Sequence, residues 1–170
     1  MPSPRPEASE TRFAGRMLAL RVERWDDAER EIVERADSVA IVALDAADRV
    51  VLVRQLREPA RRALLELPAG TVDPGEEPLA TAQRELEEET GLHGGEWTGG
   101  PVVYSTPGFC TERIHLFFAE GVVERGREAP PGEEVDVVRW PVSAVPSRLG
   151  ELEDAKTLAG LALLVARGLR

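Results

Sequence analysis

One cysteine, Cys110, is all the chain has, which excludes an internal disulfide framework and any CxxC zinc site. Aromatic residues make up only 5% of the 170, so few side chains could stack on a flat ring. No stretch approaches the roughly 18 apolar residues of a membrane-spanning helix. The opening MPSPRPEASETR is polar and lacks the apolar core of a secretory signal. Positive charge is also scarce: 21 Lys+Arg stand against 31 Asp+Glu, a net charge of −10. A surface that acidic repels phosphate backbones and argues against a nucleic-acid groove. What remains is the expectation of a cytoplasmic protein with neither membrane nor nucleic-acid partner, in which a phosphorylated ligand would need arginines or bound metal to receive it.

The hydrophobic share of 42% is enough for one globular domain with appended segments. Residues 1–12, rich in Pro, Ser and Glu, read as disordered or arm-like. Residues 13–37 read as one or two amino-terminal strands, with a turn near Trp25 and Asp26 and a possible exchange between subunits. The main domain is expected over 38–170. It opens with the continuous apolar run 38–44, the mark of a strand buried on both faces. A polar break at 45–48 and the run 50–53 complete a hairpin, and a short strand follows at 64–67. Residues 78–90 predict a helix, with Pro78 in its first turn, Gly91 as its left-handed stop and Leu79, Ala82 and Leu86 as its buried stripe. Strands at 102–104, 114–118 and 135–140 follow, the last preceded by a Gly/Pro/Glu loop over 124–134. The closing helix, 154–167, would bury Leu158, Leu161 and Val165. This order indicates an α/β (α+β) sandwich with a mixed sheet.

The helix also carries an acidic ridge. At about 100° per residue, Glu88 lies roughly 60° to one side of Glu85 and Glu89 roughly 40° to the other. Like charges so placed cost a few tenths of a kcal/mol per pair, so a cation is the natural complement. Carboxylate oxygens suit Mg²⁺ or Mn²⁺ better than zinc. A solvated acidic face is the plainer alternative for the helix taken alone.

The residues around the helix decide between the two. Residues 70–92, GTVDPGEEPLATAQRELEEETGL, match GX₅EX₇REUXEEXGU throughout, U being a bulky aliphatic. At ordinary residue frequencies a chance match is on the order of one in a hundred million per window. The segment resembles the signature of the Nudix hydrolase family. The resemblance implies an α/β/α sandwich whose loop-helix-loop presents metal-bound glutamates to a diphosphate. It implies Glu85 and Glu89 as principal metal ligands, Glu88 sharing, and the backbone carbonyl of Ala69 as a further ligand. Arg84 would orient the carboxylates, with Glu76 as its partner. Mg²⁺, with Mn²⁺ as a possible substitute, is the expected cofactor, and a nucleoside diphosphate linked to another moiety the expected substrate.

Three further segments resemble the ADP-ribose pyrophosphatases of that family. Residues 106–113, TPGFCTER, are similar to a substrate loop S-P-G-x-(S/T)-x-E, with Thr106 in place of Ser, and nominate Pro107, Gly108 and Glu112 for substrate contact. Residues 53–57, VRQLR, are similar to a strand whose later arginine binds the diphosphate, which nominates Arg57 and, more weakly, Arg54. The acidic loop before the last strand would supply Glu133 as metal ligand or general base, with Glu134 beside it. In such relatives the amino-terminal strands complete the partner subunit's pocket, so a homodimer is expected, with Phe13, Trp25 or Phe109 against the adenine. His115 reads as a satisfied sheet residue, His93 as solvated, Trp97 and Trp140 as structural. The implied reaction converts ADP-ribose to AMP and ribose 5-phosphate. Another nucleotide sugar or dinucleotide (GDP-mannose, NADH, a dinucleoside polyphosphate) or a non-catalytic regulator that binds nucleotide sugar remain as alternatives.

Overall fold

The computed structural model describes residues 5–26, 28–126 and 135–168. Its strands run in chain order as β1 (Ala8–Ala14), β2 (Ala19–Trp25), β3 (Ala28–Glu34), β4 (Ser38–Asp45), β5 (Arg49–Arg57), β6 (Arg62–Glu66) and β7 (Ala69–Thr71). After helix α1 (Pro78–Thr90) come β8 (Leu92–His93), β9 (Glu96–Tyr104), β10 (Arg113–Glu124) and β11 (Asp136–Pro141). Helices α2 (Val145–Arg148) and α3 (Ala155–Ala166) close the chain.

Strand β4 organises the main sheet. It runs parallel to β10 and antiparallel to β5 and β7, which makes the sheet mixed. Beyond β5 and β10 lie β11 and β8, while β6 and β9 pair with β5 and β10. Alternation along β4 feeds two cores. Val39, Ile41 and Ala43 pack with Ala82 and Leu86 of α1. Ala40 and Val42 pack with Leu161 and Leu164 of α3. A strand that buries both faces must be apolar throughout, which is why 38–44 shows no polar alternation. The result is a sheet sandwiched between α1 and α3.

Helix α1 occupies the span its Pro and Gly punctuation predicts, with Gly91 left-handed at φ 73°. Its buried residues are Thr81, Ala82, Leu86, Glu89 and Thr90, however, and Leu79 is exposed. The buried stripe thus passes through Thr81, Ala82 and Leu86 and takes in a glutamate, while Leu79 lies off it. Helix α3 likewise centres its buried face on Thr157, Gly160, Leu161 and Leu164, with Leu158 and Val165 at the margins. Asp154 caps it by accepting from the backbone N–H of Thr157.

The amino-terminal segment forms a separate three-stranded antiparallel sheet, β1-β2-β3, in place of one or two strands. β1 begins at Ala8, five residues before the Phe13 boundary expected above, and is exposed along its whole length. Main-chain hydrogen bonds from Val33 to Phe109 and from Thr111 to Val33 tie β3 to the 105–112 loop.

Candidate active site

Alternation places Val51, Val53, Gln55 and Arg57 of β5 on the α1 side of the sheet, and Val50, Leu52 and Arg54 on the α3 side. The site forms on the α1 side, where β7 and α1 meet. Glu89 Oε2 accepts a hydrogen bond from the backbone N–H of Ala69 at 3.1 Å. Gly70 lies under Glu85: a β-carbon there would fall inside the Glu85 carboxyl group. Glycine is therefore required at the first position of the motif by close approach. Gly70→Ala is expected to push the Glu85 carboxyl off the ridge and cut turnover by about 10²-fold. Steady-state rates, with melting temperature as the control for folding, check this.

Arg84 is the hub of the ridge. Its Nη1 donates to Glu85 at 2.8 Å and to Glu88 at 3.0 Å, and its Nε and Nη2 donate to Glu76 at 3.3 and 3.1 Å. Thr81 donates a further hydrogen bond to Glu76. The hydrogen bonds from Arg84 hold the Glu76 carboxyl below the usual carboxylate range. Glu89 moves the other way, to about 7, because it is buried and because Glu85 adds a like charge. The bond from Ala69 and the charges of Arg57 and Lys156 offset only part of that.

Glu66, which nothing in the motif pattern singles out, neighbours this site. It is 1% exposed and accepts two hydrogen bonds from Arg57, Nε at 2.7 Å and Nη2 at 2.6 Å. Lys156 pairs with the same carboxylate. Burial alone would raise Glu66, yet the Arg57 bond and the Lys156 charge outweigh it and hold it low. The signal was a lone acid in the apolar run LLELP. Arg57 is thus clamped along one guanidinium edge, close enough to Glu89 for each to perturb the other.

The remaining nominated residues scatter. Arg54 is not brought to the ridge: it faces the opposite side, in a cleft of about 430 Å³ with Leu65, Trp140 and Arg148. Pro107 and Gly108 lie on the exposed 105–112 loop. Glu112 is buried and pairs with Arg35 at 3.5 Å. Phe13 and Phe109 are exposed, while Trp25 is half-buried with its indole N–H on Glu23. Glu133 and Glu134 lie outside the described residues.

Oxygen donors at helical spacing fit a hard divalent cation in kind. Among the described residues no three acidic or histidine side chains already converge as a metal cage. Arg84 bridges Glu85 and Glu88 and offsets part of the charge of the ridge.

Comparison with known proteins bears on the family and the fold. The NUDIX domain family model matches residues 34–161. An ADP-ribose pyrophosphatase of Bacillus subtilis is 38% identical over 88% of this chain and 86% of its own length. One from Mycobacterium tuberculosis is 36% identical, covering 91% and 79%. A methanol dehydrogenase activator of Bacillus methanolicus is 32% identical over 89% and 87%. The fold is similar to a crystal structure of an ADP compounds hydrolase, with TM-score 0.81 over 96% of this chain and 93% of that one, at 22% identity.

Proposed function

Since this chain belongs to the NUDIX domain family, we propose that it is a metal-dependent pyrophosphatase that cleaves ADP-ribose to AMP and ribose 5-phosphate. The observation that carries the reading is Glu89, buried beside Glu85 at the Ala69–Gly70 backbone, a carboxylate whose charge is costly until a cation compensates it. The two ADP-ribose pyrophosphatases above supply the substrate.

Glu85, Glu88 and Glu89 hold Mg²⁺, with Mn²⁺ as a substitute, and the Ala69 carbonyl is a further donor. Bound there, the ion supplies neutralisation of phosphate oxygens and acidification of the attacking water. Arg84 keeps the carboxylates in register by anchoring them to Glu76. Arg57, fixed by Glu66 along one edge, turns its remaining N–H groups to a phosphate oxygen. The 105–112 loop, with Pro107, Gly108 and Glu112, borders the substrate, and Glu133 serves as ligand or base.

The fully exposed β1, with Phe13 on it and Met17 and Leu18 exposed in the turn that follows, supports a homodimer in which Phe13 or Trp25 completes a partner's adenine pocket. Among the described residues no helix is long and apolar enough to cross a membrane, which is compatible with a cytoplasmic enzyme.

Rates on a panel of ADP-ribose, GDP-mannose, NADH and a dinucleoside polyphosphate, with Mg²⁺ or Mn²⁺, test the proposal. ADP-ribose is expected to rank first, with AMP release abolished by chelation. A low rank for ADP-ribose, or tight binding without metal-dependent product, overturns it.

A further inference from the structure

The cross-strand register aligns three residues of adjacent strands. Gly70 of β7 stands opposite Val39 of β4, and Val39 stands opposite His115 of β10. Two strand spacings, roughly 10 Å, therefore separate His115 from the glycine beneath Glu85. Ile114, Leu116 and Phe118 face α3 and Phe117 and Ala119 face α1, so alternation sends His115 to the α1 side, the side of the ridge. Its strand-mate Arg113 and their opposite numbers Val102 and Tyr104 share that face. Val102 and Tyr104 are 50% and 59% exposed, so α1 does not reach this far and leaves an open shelf.

On that shelf His115 is held. Its Nε2 lies 3.1 Å from Asp37 Oδ2, and Asp37 is itself fixed by Arg113, Nη2 at 2.6 Å and Nε at 3.2 Å. The Asp37 backbone carbonyl accepts from the N–H of Val72, two residues past Gly70. One aspartate thus ties the shelf to the motif loop. In the neutral ring a carboxylate on Nε2 selects the tautomer with its proton there and leaves Nδ1 as an acceptor. Among the described residues Nδ1 meets no hydrogen-bond partner.

We infer that His115, oriented by Asp37, is a specificity-determining residue that accepts a hydrogen bond from a hydroxyl of the sugar lying beyond the ridge-bound diphosphate. The inference deepens the hydrolysis proposed above and rests on it. An acceptor fixed at one lateral offset from the diphosphate distinguishes a substrate that carries hydroxyls on its second half from one that does not.

The test compares ADP-ribose with the methyl ester of ADP, in which a methyl group replaces the second sugar. Hydrolysis of ADP-ribose by the unaltered protein establishes the underlying reading independently. His115→Phe, which keeps a ring without the acceptor, is expected to raise KM for ADP-ribose about tenfold with kcat within twofold, and to leave the methyl ester unaffected. Asp37→Asn should move the same KM in the same direction by less. His115→Gln, which restores an acceptor, should recover part of the loss and serves if the Phe variant fails to fold. An equal change on both substrates, or no change on ADP-ribose, overturns the assignment.

Discussion

Glu89→Gln is expected to abolish turnover while making the metal-free protein more heat-stable at pH 8. In the proposed metal-binding role, loss of this carboxylate forfeits several kcal/mol of transition-state stabilisation, about 10³-fold or more in kcat. The stability change has the opposite sign because of where this carboxyl titrates. Its folded value is about 7, above the 4.5 of an ordinary glutamate. Its contribution to stability is therefore whole below about pH 4.5 and declines as pH rises through 7. At pH 8 the native chain carries an uncompensated buried charge, and the neutral amide removes it. A gain of about 1–3 kcal/mol follows, roughly 5 °C in melting temperature. The gain should vanish at pH 4.5 and be absent in saturating Mg²⁺. Glu85→Gln should match the loss of turnover without the gain in stability, because it takes a charged partner from Arg84. Thermal scans at two pH values, with and without metal, separate the variants. Full activity in both would refute the metal ridge.

The largest loss of stability is expected at Glu66. Removing the buried carboxylate takes from Arg57 the partner that clamps it and leaves Lys156 with Asp154 alone, and breaking such buried pairs costs about 3–5 kcal/mol. Glu66→Gln should lower the melting temperature by roughly 10 °C. Since this carboxyl is held low, its contribution is present above about pH 4.5 and is lost as pH falls through the folded value. The difference between variant and parent should thus shrink in acid. Activity should fall as well, since Arg57 loses the clamp that orients it. Glu66→Gln with unchanged melting temperature at neutral pH would count against the clamp.

How legible these features were in the sequence depended on the kind of signal. The span of α1 was readable because Pro78 and Gly91 act locally, whereas its buried face depends on how the helix docks on the sheet, and Leu79 is exposed. Strand β9 was read as three residues and has nine, since Gly99, Gly100 and Pro101 imitate a turn in the middle of it. The amino-terminal sheet gave little pattern because its strands have scarcely any buried face to alternate against. Spacing put the ridge glutamates on one face, but only the surrounding motif singled them out from a solvated acidic face. The long-range pairs around them were not legible: Glu66 and Lys156 are 90 residues apart, and Asp37 and His115 are 78 apart, so only the folded chain brings them together.

Lys156 is the only lysine in the chain, and it is spent on Glu66. Every other cationic side chain on this molecule, histidines aside, is a guanidinium. Reagents or modifying enzymes that seek a side-chain primary amine therefore find one target, shielded in the native state and released when the amino end of α3 lifts away. Acylation of that single amine becomes a chemical clock for how often Lys156 leaves Glu66 and Asp154.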